Sequence, residues 1–129
     1  MYRSALAAFT LALMLAATAC SSRQLEIIRV ADGVTIALAL EPAVAGEANQ
    51  ISVRLERGDR PLDGAEVHAI LDMREMQMGG HPLRLRPEGA GRYVASGITF
   101  SMRGDWRVRV EFATPGDSPH AATFLVTVR

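Results

Sequence analysis

Asp105-Trp106-Arg107-Val108-Arg109-Val110-Glu111-Phe112 alternates without a break, with Trp106, Val108, Val110 and Phe112 on one side and Asp105, Arg107, Arg109 and Glu111 on the other. A repeat of two is the repeat of a β-strand, whose successive side chains point to opposite faces of a sheet. The stretch therefore predicts a strand with one face in a core and the other in water. The same period recurs on both sides of it. Val34 to Leu40 alternates large apolar residues with small or polar ones before Glu41-Pro42 ends the run, and Ile51 to Glu56 does the same before the turn signal Arg57-Gly58-Asp59-Arg60-Pro61. Ala65 to Met73 places Val67, Ala69, Leu71 and Met73 together, and Pro82 to Arg86 sets Leu83 and Leu85 against Arg84 and Arg86.

After the turn Glu88-Gly89-Ala90-Gly91, a strand runs from Tyr93 to Phe100 with Gly97 at a bulge inside it. Thr114-Pro115-Gly116-Asp117 turns the chain again, and Ala122 to Val128 closes the domain. Leu25 to Val30 is a further pairing candidate. Pro42, Pro61, Pro82, Pro87, Pro115 and Pro119 all read as segment edges, where a missing ladder N–H does least harm. No helical stripe of useful length competes. The chain therefore reads as all-β, an immunoglobulin-like β-sandwich of seven or eight short strands, with a small closed barrel as the rival arrangement.

The first residues have a different character. Met1-Tyr2-Arg3 precedes a nearly uncharged run from Ser4 to Ala19, rich in Ala and Leu, and then Cys20-Ser21-Ser22. A basic start, an apolar run and a small-residue cleavage site make up an export signal, and the run is shorter than the roughly 20 residues that span a bilayer. Ala17-Thr18-Ala19-Cys20 resembles the lipobox of bacterial lipoproteins, with Ala17 where Leu is usual. Ordinary cleavage after Ala19 is the alternative. Cys20 is the only cysteine, and a lone thiol in an oxidising compartment has no internal partner, which favours a lipid on it. The expected organisation is residues 1–19 as signal peptide, 20–24 as lipidated Cys20 and tether, and 25–129 as the domain. It would be held by its lipid to a membrane of the bacterial cell envelope and face the periplasm or the exterior.

The chain's 129 residues leave room for one small domain after such a signal, and the domain must fold without a disulfide. A formal charge of zero argues against a nucleic-acid binder. All 14 of the Lys and Arg residues are Arg, which removes Schiff-base and P-loop lysine chemistry. There is no HExxH, CxxC or nucleophile elbow, so no enzyme is expected and no small-molecule substrate is indicated. His68 reads as a surface residue, placed beside Glu66 in sequence but not in direction. His120 reads as a loop residue after Pro119. Arg84, Arg86, Arg107 and Arg109 read as a solvated face interrupted by Glu111.

Met73-Arg74-Glu75-Met76-Gln77-Met78-Gly79-Gly80-His81 is the segment that invites a chemical reading. Thioether sulfur is a soft, neutral ligand suited to Cu(I), and imidazole accepts copper in either oxidation state. Met76 and Met78, two apart, project to one side of an extended chain, and Gly79-Gly80 can fold His81 back towards them. Met73, in register with the core positions, and Met102, on another turn, are the further candidate ligands. The structural reading of the same residues is that methionines fill gaps and cover the end of the sandwich.

Pro61 to Phe112 resembles the YtkA-like domain, related to FixH-like proteins. The residues that carry the resemblance are Pro61-Leu62 with Gly64-Ala65-Glu66-Val67, the run from Met73 through Met76 and Met78 to Gly79-Gly80-His81, Gly91-Arg92-Tyr93, and Phe100-Ser101-Met102-Arg103-Gly104-Asp105-Trp106. The resemblance implies an immunoglobulin-like sandwich in a bacterial envelope protein, and copper transport or respiratory-oxidase assembly by association. FixH-like proteins commonly carry a membrane helix, which a lipid would replace here. It also gives Tyr93 and Trp106 structural roles, with ligand stacking as the alternative for Trp106. Two functions follow: a lipid-anchored domain that handles Cu(I) through a Met-rich loop, or a metal-free module docking on an envelope or respiratory-complex assembly partner.

Overall fold

The computed structural model describes residues 25–73, 80 and 82–129. These form nine antiparallel strands: β1 (Leu25–Ala31), β2 (Val34–Glu41), β3 (Ala48–Arg57), β4 (Arg60–Pro61), β5 (Glu66–Met73), β6 (Leu83–Gly89), β7 (Arg92–Thr99), β8 (Gly104–Ala113) and β9 (His120–Val128). Their lateral order is β1-β2-β3-β7-β6-β5-β8-β9, with the two-residue β4 beside β3. The ladder becomes two layers because β6 changes partner midway. Leu83 to Leu85 pairs with β5, whereas Arg86 to Gly89 pairs with β7. β2-β3-β7-β6 against β5-β8-β9 reproduces the A-B-E-D and C-F-G division of the immunoglobulin sandwich, with β6 as the switching strand and β1 added outside it. On the side opposite β6, the terminal strands β1 and β9 approach each other, so the sheet is nearly closed.

Inward alternation builds the core as the sequence predicts. Val34, Ile36, Leu38 and Leu40 of β2 face Val108, Val110 and Phe112 of β8 and Phe124 and Val126 of β9 across the sandwich, all buried in one cluster. Ala37 and Ala39, on the other face of β2, are small for a reason. Ala39 lies beside Glu26 of β1 and Ala37 beside Arg54 of β3, and the Glu26–Arg54 ion pair of 3.0 Å passes over them. Larger side chains there would block the bridge. Gly97 sits at a bulge where β7 carries one more residue than β3, with φ of +74°, as the sequence predicts.

Two expectations about prolines are corrected. Pro87 lies inside β6, and Pro61 is half of β4. Pro87 is tolerated because it falls where the β6–β7 register slips, between Pro87 and Gly89, so the ladder there does not need its N–H. The pairing of β1 is made by a two-residue hairpin, Asp32-Gly33, with φ of 51° and 77°. Both positive φ values are those of a type I′ turn.

Candidate functional site

The two ends of the sandwich differ in chemistry. At one end, the β4–β5 connection and the β6–β7 turn form a single hydrogen-bonded knot. The buried Tyr93 hydroxyl donates to the Leu62 carbonyl (2.8 Å) and accepts from the Ala65 N–H (3.1 Å). The Gly91 N–H donates to Asp63 Oδ1 (2.8 Å), while its carbonyl accepts from the Leu55 N–H (2.8 Å). Gly91 has φ of +71°, and a Cβ on it would lie 2.4 Å from the Leu55 oxygen, so only glycine fits. Tyr93 and Gly91 thus hold the Pro61–Val67 segment, which confirms the structural reading of both.

The same end gathers three turns around His120. Its Nδ1 lies 2.7 Å from Asp32 Oδ2 and its Nε2 3.5 Å from Asp117 Oδ2, and Arg57 adds a 3.6 Å contact to Asp117. The ring packs on Phe112 with centroids 5.4 Å apart. Hydrogen bonding to Asp32, above all, raises the His120 pKa over its ordinary 6.5. The Ser118 backbone N–H, followed by His120, lowers that of Asp117 below 3.8. His120 opens β9 and is no free loop residue. Sequence reasoning missed this cluster because its members are up to 88 positions apart, although Asp32-Gly33 is itself a recognisable hairpin signal. His68 is also corrected: two residues from Glu66, it shares that residue's face, with Nε2 3.6 Å from Glu66 Oε1.

At the other end stand the methionines that the structure describes. Met73 closes β5 opposite Trp106 of β8. It is buried, and its methyl lies 3.3 Å from where a Cβ on Gly104 would sit. Met102 is 39% exposed. Its carbonyl accepts the Trp106 indole N–H at 3.1 Å, and the indole meets Phe100 edge-on, with centroids 5.0 Å apart at 70°. Trp106 is therefore packed into the domain and fixes the turn that presents Met102. Gly80 lies against β5 so closely that a Cβ would be 2.2 Å from the Leu71 oxygen. The chain therefore leaves this end at Met73 and is back beside it at Gly80. Met76, Met78, His81 and Cys20 lie outside the described residues, as do the signal and tether.

The same end also receives the start of β1. Leu25 pairs with Leu40, the following 43–47 loop is tied to Arg129 and to the Phe100 carbonyl, and Gly104 pairs with Val128. Buried Asn49 locks that loop, its amide accepting from the Val44 N–H (3.1 Å) and donating to the carbonyls of Val44 (3.0 Å), Glu47 (2.8 Å) and Ile98 (3.2 Å). On the outer face, Arg107 is paired with Asp72 and Arg109 with Glu111 (2.9 Å), so the arginines there do not form an uncompensated stripe. Among the described residues, no three or more His, Cys, Asp or Glu side chains are gathered as a metal site. Among them too, no helix is long and apolar enough to cross a membrane.

No curated protein and no solved structure matches the chain. A family model described as YtkA-like matches residues 28–111, from within β1 to near the end of β8, and takes in both the Tyr93 knot and the Met73–Trp106 end. The chain belongs to the YtkA-like family.

Proposed function

We propose that this protein is a lipid-anchored envelope domain that captures Cu(I) at its methionine-bearing end. The observation that carries the reading is Met102, 39% exposed on a turn whose carbonyl is held by the Trp106 indole N–H, at the end of the sandwich where Met73 finishes β5 opposite Trp106. A partly exposed apolar side chain contributes less to packing than a buried one, whereas a soft thioether there is suited to Cu(I). Met76, Met78 and His81 supply the remaining donors. Met73, buried against Gly104, is the poorest ligand of the set. Copper, when bound, would supply a soft cation for transfer to another protein. All of these donors are uncharged in the form that binds a metal, the imidazole only while it is unprotonated.

Replacing Met76 and Met78 together with Leu tests this. The expected result is retained folding and a loss of Cu(I) affinity, measured by competition with a chromophoric chelator. Unchanged affinity overturns the copper reading. It would leave the metal-free docking module, which Met102 also favours, since an exposed flexible thioether suits adaptable protein recognition.

A further inference from the structure

The large hydrophobic residues exposed on the described surface are Ile28 (55%), Val30 (70%), Leu125 (45%) and Met102. Three of these four lie on β1 and β9, the two strands that flank the open seam of the sheet. Neither strand has a ladder partner on its seam side. The two strands approach each other without laddering, and these apolar side chains stand uncovered beside the seam. Its carboxylates are meanwhile neutralised in place: Glu26 by Arg54 at 3.0 Å, and Asp32 of the adjoining turn by His120 at 2.7 Å. Arg29, which alternates to the other face of β1, is exposed and turns back along the strand, its guanidinium donating to the Ile28 carbonyl at 3.3 Å.

We propose that this seam rests on the bilayer surface, with Ile28, Val30 and Leu125 at headgroup depth and Arg29 among anionic headgroups; the placement rests on the lipid-anchor reading above. Leu25 lies five residues beyond Cys20, a reach of about 18 Å at full stretch. Ile28 and Val30 follow about 10 and 17 Å along β1. A lipid on Cys20 therefore keeps the start of β1 within about 18 Å of the membrane, and the seam is where the surface is apolar and its acids are paired. Shallow burial of apolar side chains beside a basic one is the usual chemistry of interfacial contact. Backbone groups along the open edges stay hydrated at that depth.

The test uses the mature lipoprotein in vesicles of phosphatidylethanolamine and phosphatidylglycerol. A polarity-sensitive fluorophore is attached to Val30→Cys and, as the comparison, to Arg84→Cys on β6, the wall opposite the seam. Blue-shifted emission and quenching by headgroup-spin-labelled lipid at position 30, with neither at position 84, is the expected result. Water-like emission at both positions overturns the proposal. So does disulfide cross-linking of Val30→Cys chains, which would make a second copy the occupant. The unaltered protein reports separately on the anchor: acylated Cys20 takes up no thiol reagent, and labelling there removes the anchor and this placement with it.

Discussion

Gly91→Ala should be among the most damaging single-methyl additions available in this domain, and Gly116→Ala provides its control. Both glycines have positive φ, +71° and +79°, so alanine at either carries the left-handed penalty of about 1 kcal/mol. Around Gly116 nothing lies within 4 Å of the added Cβ. At Gly91 the methyl would sit 2.4 Å from the Leu55 oxygen and 3.1 Å from the Leu62 nitrogen. Those atoms are themselves bonded, Leu62 N–H to Leu55 O at 2.9 Å, and Gly91 is tied to Leu55 and Asp63. Relief of the clash must pull apart one or two of these hydrogen bonds in a half-buried place, at about 1–3 kcal/mol each. Gly91→Ala should therefore lose roughly 3–5 kcal/mol against about 1 kcal/mol for Gly116→Ala, a large share of the 5–15 kcal/mol typical of a domain.

Urea unfolding followed by far-ultraviolet circular dichroism and by the emission of Trp106 would measure both, with parallel slopes confirming a common two-state transition. In thermal melts the two variants should differ by roughly 10–20 °C. If Gly91→Ala falls within about 0.5 kcal/mol of Gly116→Ala, the Gly91 knot is not what holds the Pro61–Val67 segment, and the structural account of this motif fails.

Tyr93→Phe should lose about 1–3 kcal/mol, because the Leu62 carbonyl and Ala65 N–H are left without their shared partner, and hydrogen exchange at Ala65 should quicken. The His120 cluster should give a stability window in pH. His120 is raised in the folded state, so its contribution is complete below 6.5 and fades as the pH rises through the higher folded value. Asp117 is lowered, so its contribution is present above 3.8 and is lost as the pH falls through the lower folded value. The gap in urea midpoint between the unaltered protein and His120→Gln should accordingly be wider at pH 5.5 than at pH 8.5, and an equal gap at both would dismiss the clasp.

Strand faces were legible because burial on one side writes a period of two into the side chains, and β8, β5 and β2 each keep it. What the sequence does not show comes from pairing partners. Pro87 reads as a breaker until β6 is seen to change sheets, since nothing local says that its ladder position needs no donor. Strict alternation places Glu66 and His68, two apart, on the same side of β5, so their contact was within reach of the sequence pattern. The Asp32–His120 contact joins two turns 88 residues apart, and no local pattern encodes a contact between turns. At the methionine end, the motif was visible but its geometry was not. That Met73 is buried while Met102 is partly exposed goes with the β5–β8 register, which sets Met73 opposite Trp106 and leaves Met102 four residues beyond the last pair of that ladder.

The family motif divides along the same line. Pro61 to Val67 and Gly91-Arg92-Tyr93 are accounted for by hydrogen bonds that close one end, and Phe100, Gly104 and Trp106 by packing at the other. Met102 differs from them in leaving much of its side chain exposed. It lies at the end where β1 begins, so a lipid five residues upstream of Leu25 would keep that end near the membrane on a tether of about 18 Å. If β1 also lies along the surface, the sandwich axis runs nearly parallel to the bilayer and the methionine end opens sideways rather than into the lipid. That orientation exposes the thioethers to a neighbour in the plane of the membrane, which is what handing over a soft cation, or docking on a membrane-bound partner, would need.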